Sequence, residues 1–284
     1  GPDHMINYRI VVDSCGEFTE DMKESPHFAH AALHLSIDGE QFVDDETFDR
    51  LDFLAKMKES PNCPKSSCPS PEVYRAAFDC GVEHLYAITL SAELSGSYNS
   101  AVLGMNLFLE NHPDAKVHVF NSCSASVAET LIAKKIAEYE EAGLDFEAII
   151  EKVDDFILHM HTYFVLESLD NLRKNGRLSA VKALVATALN IKPVMGADHG
   201  VIIKLDQARG ITKGLARMCE LATRRAGKPE EKRAVIAHVN CPERALQVKA
   251  ELEKRGNYRE IVITGTAGVA TVYAGDGGIA LAVG

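Results

Sequence analysis

Three apolar runs in the first half of the chain end in hydroxyl clusters, and that repeated ending fixes most of what the sequence can fold into. Residues 9–13 run into Ser14, residues 84–90 into Ser91, Ser95 and Ser97, and residues 116–120 into Asn121 and Ser122. Residues 84–90 are apolar with β-branched and aromatic members, the composition of a strand buried on both faces. Segments of helical spacing lie between and after the runs, with Val102, Met105 and Leu109 following the central one. Strands alternating with helices form right-handed β-α-β units and a parallel sheet. In such sheets ligands sit beyond the carboxyl ends of the strands, which is where all three hydroxyl clusters fall. Within residues 88–100, serines at a helix start can cap backbone N–H groups, and Gly96 lets a ligand approach the main chain. This segment is therefore a candidate holder of a carboxylate or phosphate, a capped helix without a ligand being the alternative.

At 284 residues the chain exceeds one ordinary core, and two domains are expected with a break near Met160. Residues 1–160 read as a Rossmann-like α/β domain carrying the hydroxyl loops, with Gly1 to His4 as an expression remnant ahead of Met5. This part holds a hairpin over residues 33–43 around Asp38 and Gly39, and a helix over 47–59. The four prolines in residues 61–71 predict an extended loop without regular structure, entering a helix at 72–80 capped by Ser70. Helices are predicted over residues 126–141 and 146–160. Residues 161–284 read as a smaller α/β domain, with a hairpin around residues 198–200, helices over 211–226 and 242–255, and strands over 233–239 and 261–264. A glycine turn from Tyr273 leads into a last apolar strand, which is free to cross back to the first domain. Residues 180–189 are apolar nearly all round, a helix that is either core or the lining of an apolar cavity.

A net charge of −11, without a basic stripe, leaves nucleic-acid binding with no electrostatic source. No charged leader with an apolar core and no long apolar span is present, so a cytoplasmic protein with no integral membrane segment is expected. Seven cysteines in a chain of this size fit reduced thiols. Cys63 and Cys68 lack a second pair and a partnering His motif, so neither zinc nor any other cofactor is expected. Residues 265–271 only approach a glycine-rich nucleotide loop, lacking the Lys-Ser/Thr pair and the third glycine. No nucleophile elbow is present and no His neighbours the serine clusters in sequence. A transferase or hydrolase using Ser95 at the strand edge is accordingly the second reading.

The leading reading is a binder of an amphiphile, with hydroxyls and amides at one sheet edge for its head and apolar segments for its tail. Burial of an acyl tail at about 0.8 kcal/mol per methylene yields on the order of 10 kcal/mol, while each hydrogen bond to a carboxylate adds roughly 1.5 to 3 kcal/mol. The tail then sets affinity and the head sets orientation.

A set of motifs in fixed order resembles the DegV family of bacterial fatty-acid-binding proteins. The set comprises Val12-Asp-Ser14, Pro64-Lys-Ser-Ser-Cys-Pro-Ser70, Leu90-Ser-Ala-Glu-Leu-Ser-Gly-Ser-Tyr-Asn-Ser-Ala101, Asn121-Ser122, Leu169-Asp-Asn-Leu-Arg-Lys-Asn-Gly-Arg-Leu-Ser179, Asn190-Ile-Lys-Pro193 and Ala208-Arg209. The resemblance implies two α/β domains of the EDD fold with a long-chain fatty acid between them. It also implies no catalysis by this chain, which would deliver the acid to a separate fatty acid kinase catalytic subunit for phospholipid synthesis. The residues it points to are Ser66 and Ser95 on the carboxylate, with Gly96, Ser97 and Ser122 around them and Arg209 on a kinase-docking surface. This chain departs from the family pattern in having Ser66 in place of the usual Thr and Cys68 in place of Gln. Near the end, where the family shows a His followed by Gly-Pro-Gly, it has residues 274–278 with Ala274 and Asp276. That change removes a donor to the carboxylate, adds a negative charge and leaves a different lipid head, an alcohol or ester, permitted.

Overall fold

The structure, a computed structural model, describes residues 6–181 and 190–284. Residues 1–4, expected to be an expression remnant, and nearly all of the apolar helix expected over 180–189 lie outside the described residues.

The runs that end in hydroxyls form a parallel sheet. Strands β1 (Tyr8–Asp13), β2 (Phe28–Ala31), β6 (His84–Thr89) and β7 (Lys116–Asn121) lie in the order β2-β1-β6-β7. Because side chains alternate along a strand, Ile10 and Val12 face one way and Val11 the other, and burial on both faces explains the unbroken apolar runs. On one face Val11, Leu85, Ala87 and Val119 pack under helices α3 (Pro71–Phe78) and α4 (Ser97–Asn111), through Tyr74, Phe78, Ala101 and Phe108. On the other, Ile10, Val12, Tyr86, Ile88 and Phe120 meet α5 (Val127–Glu141) and α6 (Phe146–His159).

All strands of a second, mixed sheet follow Met160. They are β8 (His161–Val165), β9 (Ile191–Asp198), β10 (Val201–Arg209), β11 (Arg233–His238), β12 (Glu260–Gly265) and β13 (Ile279–Val283). Their order is β10-β9-β8-β13-β11-β12, antiparallel except between β11 and β12. The terminal strand β13 is thus a central strand of this sheet and does not cross back. Helices α8 (Ile211–Ala226) and α9 (Pro242–Arg255) cover one face of it. Helix α5 joins the two halves, because the core it shares with the parallel sheet also contains Val235, Ala237 and Ala282 of the mixed sheet. A helix buried on two sides must be apolar on both, and Val127, Ala128, Leu131, Ile132, Ala133 and Ile136 are all fully buried.

A three-stranded sheet of β3 (His34–Ile37), β4 (Glu40–Val43) and β5 (Lys65–Ser67) lies beside α2 (Arg50–Glu59), in the order β4-β3-β5. β5 corrects the expectation that residues 61–71 hold no regular structure. Three residues free of proline between Pro64 and Pro69 suffice for an edge strand, which needs its amides on one side only. Ser70 caps α3 by accepting from the Val73 amide at 3.3 Å, as its position predicts. Two short helices, α7 (Asp170–Lys174) and α10 (Gly268–Ala274), complete the parts that surround the cavity described next.

Candidate functional site

A cavity of about 1030 Å³, including its open mouth, lies between the carboxyl edge of the parallel sheet and the mixed sheet. The first half contributes Cys15, Leu33, Leu90 and Ala125. From the second half come Phe164, Leu166, Ile202, Val239 and Val269, with Gly196, Ala197, Ala237 and Ala280 leaving the space. Glycine is required at 196 by packing as well, since a Cβ there would stand 2.6 Å from Leu205 Cδ1, a side chain outside the cavity lining. The lining is mostly apolar, so a ligand that fills it must be mostly hydrocarbon.

The loops at the sheet edge are held by one buried carboxyl. Asp13 Oδ2 accepts from the Leu90 amide at 2.7 Å and from the Ser97 hydroxyl at 2.9 Å, and Oδ1 accepts from the Cys15 amide at 3.2 Å. Burial pushes the Asp13 carboxyl up, and these hydrogen bonds oppose that shift. Behind it, Glu129 is fully buried, and burial next to Asp13 drives its carboxyl well above the usual range. The Ser14 hydroxyl accepts from the Leu33 amide at 2.9 Å and positions the link between β2 and β3.

Of the serines singled out by sequence, Ser66 and Ser95 line the cavity. Ser97 does not; it is fully buried, donating to Asp13 and sharing a 2.7 Å hydrogen bond with the Tyr74 hydroxyl. Ser122 is buried too, its hydroxyl accepting from the Ser124 amide at 3.1 Å. The hydroxyl of that strand end which reaches the cavity is Ser124, donating to Thr162 Oγ1 at 2.7 Å. Gly96 is exposed at the start of α4, and a Cβ there would stand 3.4 Å from Cys68 Sγ of the proline-rich loop. Arg209 is exposed at the end of β10.

Two lining residues escaped the sequence reading. Tyr273, on the last turn of α10, has its hydroxyl 2.5 Å from Ser66 Oγ. Arg177 lies with its guanidinium carbon 5.4 Å from the centre of the Tyr273 ring, while its Nε donates to the Leu94 carbonyl at 2.9 Å. Ser66, Tyr273, Arg177 and the Leu94–Ser95 step therefore form one continuous polar patch. Arg177 is the one charged side chain of the lining among the described residues. Tyr273 was hidden because the sequence reads as a glycine turn from that residue on, whereas it closes helix α10. Ala274, the residue the sequence comparison stressed, lines both this cavity and an outer polar hollow that contains Asp276, Cys63, Asn171 and Lys174.

The glycine-rich segment 265–271 is closed to a phosphate. The Ala267 amide donates to both Glu17 carboxyl oxygens at 3.0 Å, and the Gly268 and Val269 amides donate to Asp44 at 2.8 and 3.0 Å. The hairpin turn of β9 and β10 is fastened to the serine loop, with Ser91 Oγ donating to the Gly200 carbonyl at 2.6 Å. Gly200 has φ +86, and a Cβ there would lie 2.6 Å from Ser91 Oγ, so both conformation and space require glycine.

A family model described as "Uncharacterised protein, DegV family" matches residues 7–284. A DegV domain-containing protein of Streptococcus pneumoniae is 34% identical over 278 residues, which are 96% of this chain and 98% of that protein. Among solved structures, a DegV family protein from Ruminococcus gnavus refined with vaccenic acid superposes with a TM-score of 0.94 at 48% identity, covering 97% of this chain and 99% of that one. The Streptococcus pneumoniae Fatty Acid Kinase B3 protein loaded with linoleic acid gives a TM-score of 0.86 at 30% identity, over 98% and 99% of the two chains. A DegV family protein from Eubacterium eligens loaded with heptadecanoic acid gives 0.88 at 28% identity, over 97% and 98%.

Proposed function

Since this chain belongs to the DegV family, we propose that it is a non-catalytic carrier that holds a long-chain fatty acid in the cavity between its two sheets. The observation that carries this reading is the cavity itself, about 1030 Å³ including its open mouth, mostly apolar in its lining and with a polar patch at Ser66, Ser95, Tyr273 and Arg177 that holds its one charged side chain among the described residues. A long apolar molecule with one polar end matches such a lining. The tail supplies affinity at about 0.8 kcal/mol per buried methylene. The head supplies direction: Ser66 and Ser95 hold the carboxylate, the Ser95 loop being kept in register by Asp13 through Leu90 and Ser97. Gly96 keeps the main chain accessible at the α4 start, while Ser97 and Ser122 act from behind as supports of the loops. The relatives crystallised with vaccenic, linoleic and heptadecanoic acids support a fatty acid as the ligand class.

The likeness to the Fatty Acid Kinase B3 protein supports a finer role, presentation of the carboxylate to a separate kinase subunit. In that role the exposed Arg209 is part of the docking surface. Titration of delipidated protein with oleic acid, by displacement of a fluorescent fatty-acid probe, tests the binding role. Saturable one-to-one displacement is expected. No displacement by any acid from twelve to twenty carbons would contradict the reading. For the finer role, Arg209→Ala is expected to leave acid binding unchanged and to slow phosphorylation of the bound acid by a fatty acid kinase.

A further inference from the structure

Resting on the fatty-acid reading, we propose that Tyr273 is a head-group ligand that makes this site selective for a free acid over an ester or an alcohol. The two hydroxyls 2.5 Å apart, Ser66 Oγ and Tyr273 OH, carry two protons between them, and their mutual hydrogen bond uses one. The second O–H finds no acceptor among the described residues, in a cavity whose lining is mostly apolar. Arg177 adds donors at the same spot. Its Nε is used by the Leu94 carbonyl and one terminal nitrogen by the Asn175 carbonyl at 2.5 Å, and its guanidinium lies against the Tyr273 ring.

This patch is rich in donors and carries a positive charge. The ligand end that satisfies it accepts hydrogen bonds and is negative, as an ionised carboxylate does with its two oxygens. An ester offers a weaker, neutral acceptor, and an alcohol brings a further proton that competes with those already present. The phenol reaches this point because α10 is fixed at its start by Glu17 and Asp44, while Asn171 Nδ2 donates to the Val272 carbonyl at 2.8 Å next to Tyr273. The ring is thus held from both sides, and its hydroxyl supplies the head-group donor that Ala274 cannot.

The test compares delipidated wild-type protein with Tyr273→Phe, using oleic acid and methyl oleate as probes. The phenylalanine ring keeps the packing on Arg177 and removes only the hydroxyl. Wild type is expected to bind the acid at least about tenfold more tightly than the ester. Tyr273→Phe is expected to weaken the acid roughly 5- to 100-fold and leave the ester unchanged. Ser66→Ala, which removes the other hydroxyl, is expected to move acid and ester in the same sense. A Tyr273→Phe protein that keeps wild-type discrimination overturns the assignment while leaving the carrier reading intact. A wild-type protein that binds neither compound overturns the carrier reading and this inference with it.

Discussion

Two helix starts in this molecule look alike in sequence and differ in what they hold. Helix α4 begins at Ser97 after β6, and helix α10 begins at Gly268 after β12; both follow a strand through a loop of glycine and hydroxyl residues. At α10 three successive amides are taken by Glu17 and Asp44, carboxyls that lie more than 200 residues earlier in the chain. At α4 the Ser97 amide is met by the Ser95 hydroxyl at 3.1 Å, and the cap residue Gly96 brings no side chain. The first helix start is filled by the protein's own acids and fastens its two halves together. The second carries its serine to the mouth of an apolar cavity. A helix N-terminus is thus an invitation to an anion, and the tertiary fold decides whether that anion is internal or a ligand.

The sharpest break of this comparison is Asp44→Ala. It leaves the buried Gly268 and Val269 amides without acceptors and is expected to cost on the order of 3 kcal/mol in urea unfolding of the ligand-free protein. A loss under 1 kcal/mol would mean that the clamp is not a main tie between the halves. The counterpart at α4 is expected to behave in the opposite way. Ser95→Ala and Ser66→Ala should each weaken acid binding by about 1 to 3 kcal/mol, while Ser95→Ala also costs about 1 kcal/mol of ligand-free stability through the Ser97 amide it leaves unmet. Unchanged affinity in both variants would move the head group elsewhere.

A smaller effect separates the acids behind the two helix starts by pH. Burial raises the carboxyls of Asp13, Glu17, Asp44 and Glu129 alike. A raised carboxyl holds its proton in the folded chain after the unfolded chain has released it. Its stabilising contribution is therefore complete at acid pH and is lost as pH climbs through the folded value. Stability is expected to fall from pH 5 toward pH 9, and Glu129→Gln, which keeps the shape without the charge, should flatten that slope and raise the melting temperature at pH 8 by a few degrees. A slope identical to wild type would locate the alkaline sensitivity in the other three acids. The smallest expected effect is none at all: ATP with magnesium should not shift the melting temperature, because the amides of residues 267–269 are already used.

The order of strands and helices was legible because burial on two faces and helical spacing are local signals. The short strand β5 was not, since pairing with β3 rather than its own composition makes it a strand. The candidate head group divides the same way. Ser66 and Ser95 stand in motifs that can be read along the chain, and both line the cavity. Tyr273 acquires its meaning only from a partner 207 residues away, and Arg177, although it stands in the motif of residues 169–179, acquires its place at the head group only from the ring beneath it and the Leu94 carbonyl. The occupation of α10 by Glu17 and Asp44 was equally invisible, since nothing local in a glycine-rich turn says that two distant carboxyls will fill it. Periodicity reports which face is buried; it does not report which buried hydroxyl faces a cavity and which, like Ser97, braces a loop.

The central claim is that the cavity holds a fatty acid by its carboxylate. The most direct test is mass spectrometry of small molecules released from the purified protein under denaturing conditions. A single long-chain free fatty acid at close to one per chain is the predicted result, and its length would size the cavity. An empty extract from protein that also fails to take up added acid, or a stoichiometric lipid with no free carboxylate, would contradict the account.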